Sequence, residues 1–172
     1  MSRLWLVRHA EALPGGMGLS ETGRRQAQLL GERLAEAGIT RISHSPLARA
    51  AETASIVAAA LPGVPVEAAE ELTDSDPTED PAAAEAMVAR FSDPPADELC
   101  ITHMFQVGWF VRAVLGAPAD RWAALNSANT GVTVLRWSPI PGRPVSPLVF
   151  NDLTHLPPEL RWTGFPPELR LP

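Results

Sequence analysis

The sequence predicts an α/β fold of three layers, in which helices cover both faces of a central, mostly parallel sheet. Two observations favour this class. Short apolar runs typical of buried strands alternate with longer segments whose apolar residues recur at helical spacing. The connections between these segments are short, as expected when crossover helices join neighbouring parallel strands.

The first strand and helix are predicted in the first 38 residues. Residues 3–8 form a short apolar run, which indicates a buried strand. A helix should follow, because Ser20 is a favoured N-cap residue and Gly38 is a suitable stop. The residues expected on its buried side are Ala27, Leu30, Gly31 and Leu34.

A second strand and helix are predicted next. Residues 39–43 are expected to form the strand. Ser45 and Pro46 should start the helix, as a cap residue followed by proline at the first helical position. The buried stripe of that helix would be Ala50, Ala54, Val57 and Leu61.

The middle of the chain repeats the alternation, and its end departs from it. The predicted elements are a strand at 64–67, a helix from Asp80 and Pro81 to about Phe91, a strand at 98–102, a helix ending near Gly116 and a strand at 132–137. Nine of the 18 prolines lie from Pro139 onward, which argues against regular structure there. We expect residues 1–172 to form a single domain, with a tail from about 139 that packs along it or lies partly loose.

The overall composition restricts the class of protein. Apolar residues make up 45% of the chain and charged residues 20%, as in soluble globular proteins. No apolar run is long enough to cross a bilayer and no secretory leader is recognisable, so we expect no membrane partner and a cytoplasmic location. The net charge is -6 with no basic run, which makes nucleic acid an improbable partner.

The absence of lysine narrows the chemistry further. All 14 basic residues are arginine, which excludes a P-loop lysine and a Schiff-base mechanism. Cys100 is the only cysteine, so it can form no intrachain disulfide and belongs to no cysteine cluster for a metal. We expect it to be a small buried residue, and we predict neither a metal nor a cofactor.

Four segments carry the functional signal. They are, in chain order, Leu4 to Glu11, Ser45 to Ala50, Glu70 to Asp76 and Ile101 to His103. His9 and His103 each follow a predicted strand, and ligands of open α/β sheets bind beyond the carboxyl ends of the strands. Both histidines should therefore lie at one edge of the sheet, and Arg49, in the first turn of a helix, can face the same crevice.

These segments resemble the histidine phosphatase superfamily, also called the phosphoglycerate mutase-like family, over about residues 3–135. The resemblance implies that His9 is the nucleophile and is transiently phosphorylated on a ring nitrogen. It implies that Arg8 and Arg49 clamp the phosphate and that His103 is the second pocket histidine, which holds the phosphoryl oxygens. Arginine suits this task, because its planar fork grips two phosphate oxygens and stays charged.

The same family commonly protonates the leaving group with a carboxylate two residues after a leucine. Leu72 and Asp74 have that spacing, so we favour Asp74, with Glu71 as the second choice. The sequence departs from the family's usual residues at three positions that could narrow the pocket. Ala10 and Met104 stand where glycine is common, and His44 stands where a small residue often precedes the Ser-Pro pair.

The predicted function is a metal-independent phosphatase that acts on a phosphate monoester or on phosphohistidine. The substrate would be a phosphorylated small molecule or a phosphoprotein, and the sequence does not indicate an oligomeric state. The short stretches from His9 to Ser20 and from Arg49 to His103 favour a phosphatase over the longer mutases of the family. The alternatives are mutase-type phosphotransfer and a non-catalytic module that binds a phosphorylated ligand in the same pocket.

Other interpretations compete at single positions. The Asp74 to Thr78 segment superficially resembles haloacid-dehalogenase-type phosphatases but lacks the buried strand that should precede it, and a thiol phosphatase would need arginine where Gln106 stands. Arg49 could instead pair with Glu52 on its own helix, at a spacing of three residues. His155 is more typical of a surface turn than of a catalytic residue.

Overall fold

The computed structural model describes residues 2–138, 140 and 145–170. Helices alternate with strands over most of this range. The strands are β1 (Arg3–Arg8), β2 (Arg41–His44), β3 (Val66–Ala68), β4 (Glu98–Thr102), β5 (Val132–Arg136) and β6 (Ser146–Asp152). The helices are α1 (Glu21–Leu34), α2 (Ala48–Ala58), α3 (Pro81–Phe91) and α4 (Met104–Val114), with short 3-10 turns between some elements.

The strands form one sheet in the order β3-β2-β4-β1-β5-β6. Strands β1 to β4 are mutually parallel. β5 runs antiparallel to β1, and β6 runs antiparallel to β5, so the sheet is mostly parallel as predicted. β1 and β4 are neighbours, with Arg8 opposite Thr102 at their last residues. The residues that follow these two strands therefore emerge side by side at one edge of the sheet.

Helices cover both faces of the sheet, which confirms the three-layer prediction. Side chains alternate along β1, so Leu4 and Leu6 join the core under α3 and α4. Trp5 and Val7 join the core under α1 and α2 on the opposite face. Burial on both faces explains why β1 is continuously apolar.

The start of α1 follows the sequence prediction and holds the loop after β1. Ser20 caps the helix, and its hydroxyl oxygen accepts a hydrogen bond of 2.9 Å from the Gly23 amide. Position 23 must be glycine for a packing reason, because a Cβ there would overlap the carbonyl oxygen of Glu11. The loop that contains His9 and Glu11 is thus packed directly on α1.

The predicted start of α2 is wrong. The helix begins at Ala48 with Leu47 in the cap position, rather than at the Ser45 and Pro46 pair. The chain remains extended at Ser45, whose amide donates a hydrogen bond of 2.9 Å to the Ile101 carbonyl beside β2. The Ser45 hydroxyl has another partner, described below.

The prediction of an irregular tail is also wrong in part. Ser146–Asp152 forms β6, which pairs with β5 through an irregular register. Proline is tolerated at Pro147 because β6 is an edge strand, where one side of the backbone needs no partner. Residues 139, 141–144 and 171–172 of the predicted tail lie outside the described residues.

Within the described ranges, no helix has both the length and the apolarity needed to span a membrane.

Candidate active site

His9 and His103 lie beside each other at the carboxyl edge of β1 and β4. Their ring centroids are 5.1 Å apart and their planes are tilted by 60°. The His9 amide donates a hydrogen bond of 2.8 Å to the Thr102 carbonyl, which continues the pairing of the two strands. The sequence prediction that both histidines share one sheet edge is therefore confirmed, and the two strands are direct neighbours.

The hydrogen bonds of His9 define its tautomer. Its Nδ1 lies 2.7 Å from the carbonyl oxygen of Ala10, and a carbonyl can only accept, so Nδ1 carries the proton. The opposite nitrogen, Nε2, accepts a hydrogen bond of 3.1 Å from Nε of Arg49. His9 therefore presents an unprotonated Nε2, whose lone pair faces the Arg49 guanidinium.

The surroundings of His9 also keep the ring neutral. Its pKa is lowered from 6.5 to about 3, chiefly because the buried ring is withdrawn from water, and further by the nearby Arg8, His103 and Arg49, although the Ala10 carbonyl opposes the shift. Only 7% of the residue is exposed. A histidine in this setting is uncharged at neutral pH, as a nitrogen nucleophile must be.

Arg49 connects His9 to an acidic side chain. While its Nε donates to His9, its Nη2 donates a hydrogen bond of 2.6 Å to a carboxylate oxygen of Asp74. The loop after β1 packs against the same guanidinium, because a Cβ on Gly16 would lie 2.7 Å from Nη1. Gly16 has a φ of 72°, a backbone conformation that glycine adopts easily.

Arg8 supplies a second fixed cation. Its Nη1 donates a hydrogen bond of 2.8 Å to the Ser127 carbonyl, and its guanidinium lies over the ring of Phe165, 5.4 Å from the centroid. The pKa of Arg8 is lowered to about 10, mainly because of burial, so the side chain remains charged at neutral pH. The C-terminal segment that contains Phe165 thus packs against the site, in agreement with a tail that packs along the domain.

His103 is held from behind by Ser45. The histidine is almost completely buried, and its Nε2 lies 2.8 Å from the Ser45 hydroxyl. Its Nδ1 points away from that contact, toward Asp74 at 3.7 Å, and has no hydrogen-bond partner among the described residues. Burial, Arg49 and Arg8 together lower the pKa of His103 to about 3.

Asp74 reaches the site from a loop that is fixed on both sides. The Thr102 hydroxyl donates a hydrogen bond of 2.7 Å to the Leu72 carbonyl before it. The Gln106 amide nitrogen donates one of 2.9 Å to the Ser75 carbonyl after it. These two contacts from β4 and its following helix aim the Asp74 carboxylate at Arg49 and His103.

A cleft of about 180 Å³ opens between these groups. We call it the phosphate cleft. The residues that line it are Arg8, His9, Asp74, His103, Met104 and Phe105. The structure therefore brings together His9, His103, Arg8, Arg49 and Asp74, the five side chains selected from the sequence.

The second-choice acid does not reach this cleft. Glu71 lies in the exposed turn Glu70–Leu72 and is absent from the described lining. The alternative pairing of Arg49 is not seen either, because Glu52 binds Arg24 at 2.7 Å.

Two other residues considered in the sequence also lie away from the phosphate cleft. His155 is half-buried with Nε2 3.2 Å from the Thr130 hydroxyl, and burial lowers its pKa to about 4. Cys100 is fully buried in the middle of β4, as expected for a packing residue, and burial raises the pKa of its thiol.

Sequence reasoning missed the residues that position the charged groups. Ser45 was assigned to a helix cap and instead contacts His103. Asn129 donates a hydrogen bond of 2.9 Å from Nδ2 to the His9 carbonyl, across 120 positions of sequence. Only Ser45 had a usable signal, since it immediately precedes proline in the segment that contains Arg49.

The comparison with protein families matches the first part of the chain. Residues 4–79 match the model of the histidine phosphatase superfamily, branch 1. The chain is similar to that superfamily over this range. The matched range contains His9, Arg49 and Asp74, and the structure adds His103 from outside it.

Two curated relatives of this chain are named as phosphatases. The chain is 29% identical over 170 residues to "Serine/threonine-protein phosphatase Pgam5, mitochondrial" of Caenorhabditis briggsae, an alignment that covers 81% of the chain and 58% of that protein. It is 28% identical over 187 residues to the protein of that name from Mus musculus, with 91% of the chain and 64% of that protein covered. The chain thus spans about three fifths of the length of these relatives.

Solved structures have the same fold. The alpha-ribazole phosphatase from Shigella flexneri superposes with a TM-score of 0.70 at 21% identity, over 87% of this chain and 96% of that one. A phosphoserine phosphatase mutant from Entamoeba histolytica, determined with phosphoserine, gives a TM-score of 0.72 at 17% identity over 91% and 100%. At these identities the likeness concerns the fold alone.

Proposed function

We propose that this chain is a metal-independent phosphatase that hydrolyses phosphate monoesters through a phosphohistidine intermediate on His9. One observation carries the proposal. His9 is a neutral histidine whose proton is held on Nδ1 by the Ala10 carbonyl, while its Nε2 lies at a cleft with fixed cations. A structural histidine needs no unprotonated ring nitrogen beside two arginines, whereas a nucleophile does, and it attacks once a phosphoryl oxygen has replaced it as the acceptor of Arg49 Nε.

In the first step, Nε2 of His9 attacks the phosphorus atom and the bond from phosphorus to the ester oxygen breaks. The electron pair of that bond leaves with the alcohol oxygen. Arg8 and Arg49 offset the negative charge on the equatorial oxygens of the transferring group, which is how phosphoryl transfer is usually accelerated. Nδ1 of His103, which has no hydrogen-bond partner among the described residues, is placed to contact a phosphoryl oxygen.

The leaving oxygen then needs a proton, and Asp74 is the carboxylate in the phosphate cleft. Its carboxylate accepts a hydrogen bond from Nη2 of Arg49. The incoming phosphate competes for the same guanidinium. Asp74, released from Arg49, takes up a proton from the substrate monoanion or from solvent and donates it to the leaving oxygen.

In the second step, a water oxygen attacks the phosphorus atom on His9. The bond from Nε2 to phosphorus breaks, and the electron pair returns to the ring nitrogen. The carboxylate that gave its proton to the alcohol takes one from the water, which restores the starting state. The products are the alcohol and inorganic phosphate.

Hydrolysis of phosphohistidine in a protein is a second candidate substrate chemistry. The observation that favours it is that Nη2 of Arg49 occupies the Asp74 carboxylate, at 2.6 Å. An imidazole leaving group is readily protonated near neutral pH and needs less help than an alkoxide. The proposal thus includes a phosphorylated small molecule or a phosphoprotein as substrate, and the two relatives are named as phosphatases of proteins.

Chelator resistance tests the proposed reaction class. We expect the chain to release phosphate from para-nitrophenyl phosphate at the same rate with and without excess EDTA, because Arg8 and Arg49 supply the positive charge that a metal ion would otherwise provide. The measurement is initial rate against chelator concentration. Loss of activity that is restored by a divalent cation contradicts the proposal, and a folded chain that binds phosphate without turnover favours the non-catalytic module.

Asp74→Asn separates a general acid from a mere ion-pair partner. We expect its effect to depend on the leaving group, with kcat for an alkyl phosphate falling at least about 10²-fold and kcat for para-nitrophenyl phosphate falling much less. Nitrophenolate leaves without a proton, whereas an alkoxide does not. Glu71→Gln is the matched control and should leave both rates unchanged, since Glu71 lies outside the phosphate cleft. Equal losses on both substrates would refute the acid role.

A further inference from the structure

A second cavity adjoins the phosphate cleft. It has a volume of about 200 Å³, and we call it the apolar cavity. Its described lining residues are Met104, Phe105, Trp122, Ala123, Leu125 and Asn126. Met104 and Phe105, at the start of α4, also line the phosphate cleft, so the two spaces share a wall.

The apolar cavity has the chemistry of an aromatic-binding site. Each of its described lining side chains is uncharged, and the polar groups among them are the Asn126 amide and the Trp122 indole N–H. Phe105 and Trp122 pack edge to face with ring centroids 4.8 Å apart, which leaves an aromatic wall. An apolar space of about 150 Å³ can hold one benzene molecule, so this cavity has room for a single ring.

The outer wall of the cavity is fixed to the rest of the site. The turn Ala119–Ala124 packs closely on α4, because a Cβ on Gly108 would lie 2.8 Å from the Trp122 carbonyl oxygen. Just after this wall, the Ser127 carbonyl accepts the hydrogen bond from Arg8. The cavity wall and the Ser127 carbonyl that holds Arg8 are thus separated by only a few residues of chain. The apolar cavity therefore has a fixed position relative to the Arg8 guanidinium.

We infer that the apolar cavity is the leaving-group subsite and that it selects phosphate esters whose alcohol carries a single aromatic ring. This inference rests on the proposed function, because it assigns a place to the part of the substrate beyond the phosphate. Esters with a carboxylate or ammonium group on the alcohol, such as phosphoserine, are disfavoured. The cavity offers them no opposite charge, and an unpaired charge is costly to bury.

Binding of two phosphonates tests the subsite without requiring turnover. The ligands are 2-phenylethylphosphonate and ethylphosphonate, which resist hydrolysis and differ only by the phenyl ring, and their Kd values can be measured by calorimetry. We expect the phenyl compound to bind at least about tenfold more tightly, the effect of burying one ring-sized apolar group. Equal affinities, or no binding of either compound, would overturn the inference.

Leu125→Asn locates the effect in the apolar cavity. The substitution replaces a half-buried apolar side chain with one of similar size and no charge, so it does not repel the phosphonate. We expect the ratio of the two Kd values to fall at least about threefold, as expected when one apolar contact is replaced by a polar group. Leu115→Asn makes the same chemical change at a leucine that is 57% exposed and lines neither cavity, so it should leave the ratio unchanged.

Turnover separates this inference from the proposed function. Benzyl phosphate and ethyl phosphate have primary alcohols of similar acidity as leaving groups, so a preference for benzyl phosphate reports the subsite. If neither ester is hydrolysed but the phenyl phosphonate still binds more tightly, the proposed function fails and the subsite stands. A wild-type ratio that Leu125→Asn leaves unchanged would overturn the subsite whatever the turnover.

Discussion

We expect His9→Ala to abolish turnover, with kcat/KM for para-nitrophenyl phosphate falling at least about 10³-fold, as when an enzyme loses its nucleophile. The reason is that the substitution removes the atom that forms the bond to phosphorus. Arg8, Arg49 and His103 keep their own anchoring contacts with Ser127, Asp74 and Ser45. The variant should therefore retain affinity for phosphate while losing turnover, and a calorimetric Kd for phosphate and the melting temperature check its binding and its fold.

His44→Ala is the matched control for this change. His44 ends β2, and its Nδ1 contacts the carbonyl of the next residue at 2.8 Å, just as His9 does after β1. It does not line the phosphate cleft, so its removal should leave kcat within about threefold of wild type, the range expected for a substitution outside the site. Wild-type turnover by His9→Ala would show that another group attacks phosphorus.

Arg49→Lys is expected to have the second largest effect, because lysine preserves the charge and loses the geometry. The guanidinium donates to His9 from Nε and to Asp74 from Nη2 at the same time. A lysine ammonium is a compact charge on a flexible stem and cannot reproduce this planar two-point contact. We expect kcat/KM to fall at least about 10²-fold, comparable to the loss of one donor that stabilises a transition state.

Arg24→Lys provides the control for Arg49→Lys. Arg24 lies on α1 and forms an exposed ion pair with Glu52, so the same replacement there should change neither activity nor stability appreciably. The comparison uses kcat/KM together with the inhibition constant for inorganic phosphate. If Arg49→Lys keeps wild-type values for both, Arg49 has no specific part in binding or catalysis.

Much of the fold was predictable because burial leaves a simple pattern in the sequence. β1 is apolar at every interior position because both of its faces are covered, and Ser20 is recognisable as a cap because its hydroxyl satisfies a free amide at the start of α1. β6 was missed because Pro147 and the other prolines of the tail argue against a strand. That argument is sound in the middle of a sheet, but β6 lies at the edge and pairs on one side only.

The site was predictable at the level of residues and not at the level of their hydrogen bonds. The sheet-edge rule brought His9 and His103 together without any alignment. The proton on Nδ1 of His9 depends on the local direction of the Ala10 carbonyl. The hydrogen bond that Asn129 donates to the His9 carbonyl comes from a residue 120 positions later in the sequence. No periodic pattern in the sequence predicts either contact, because each is created by tertiary packing.

The stereochemical course at phosphorus tests the central claim most directly. A phosphorothioate monoester made chiral at phosphorus with two oxygen isotopes would be hydrolysed in water that carries the third, and the configuration of the inorganic thiophosphate determined. Each in-line displacement inverts phosphorus, so attack by His9 followed by attack by water predicts overall retention. Overall inversion would mean that water attacks the ester directly, which contradicts a covalent phosphohistidine on His9.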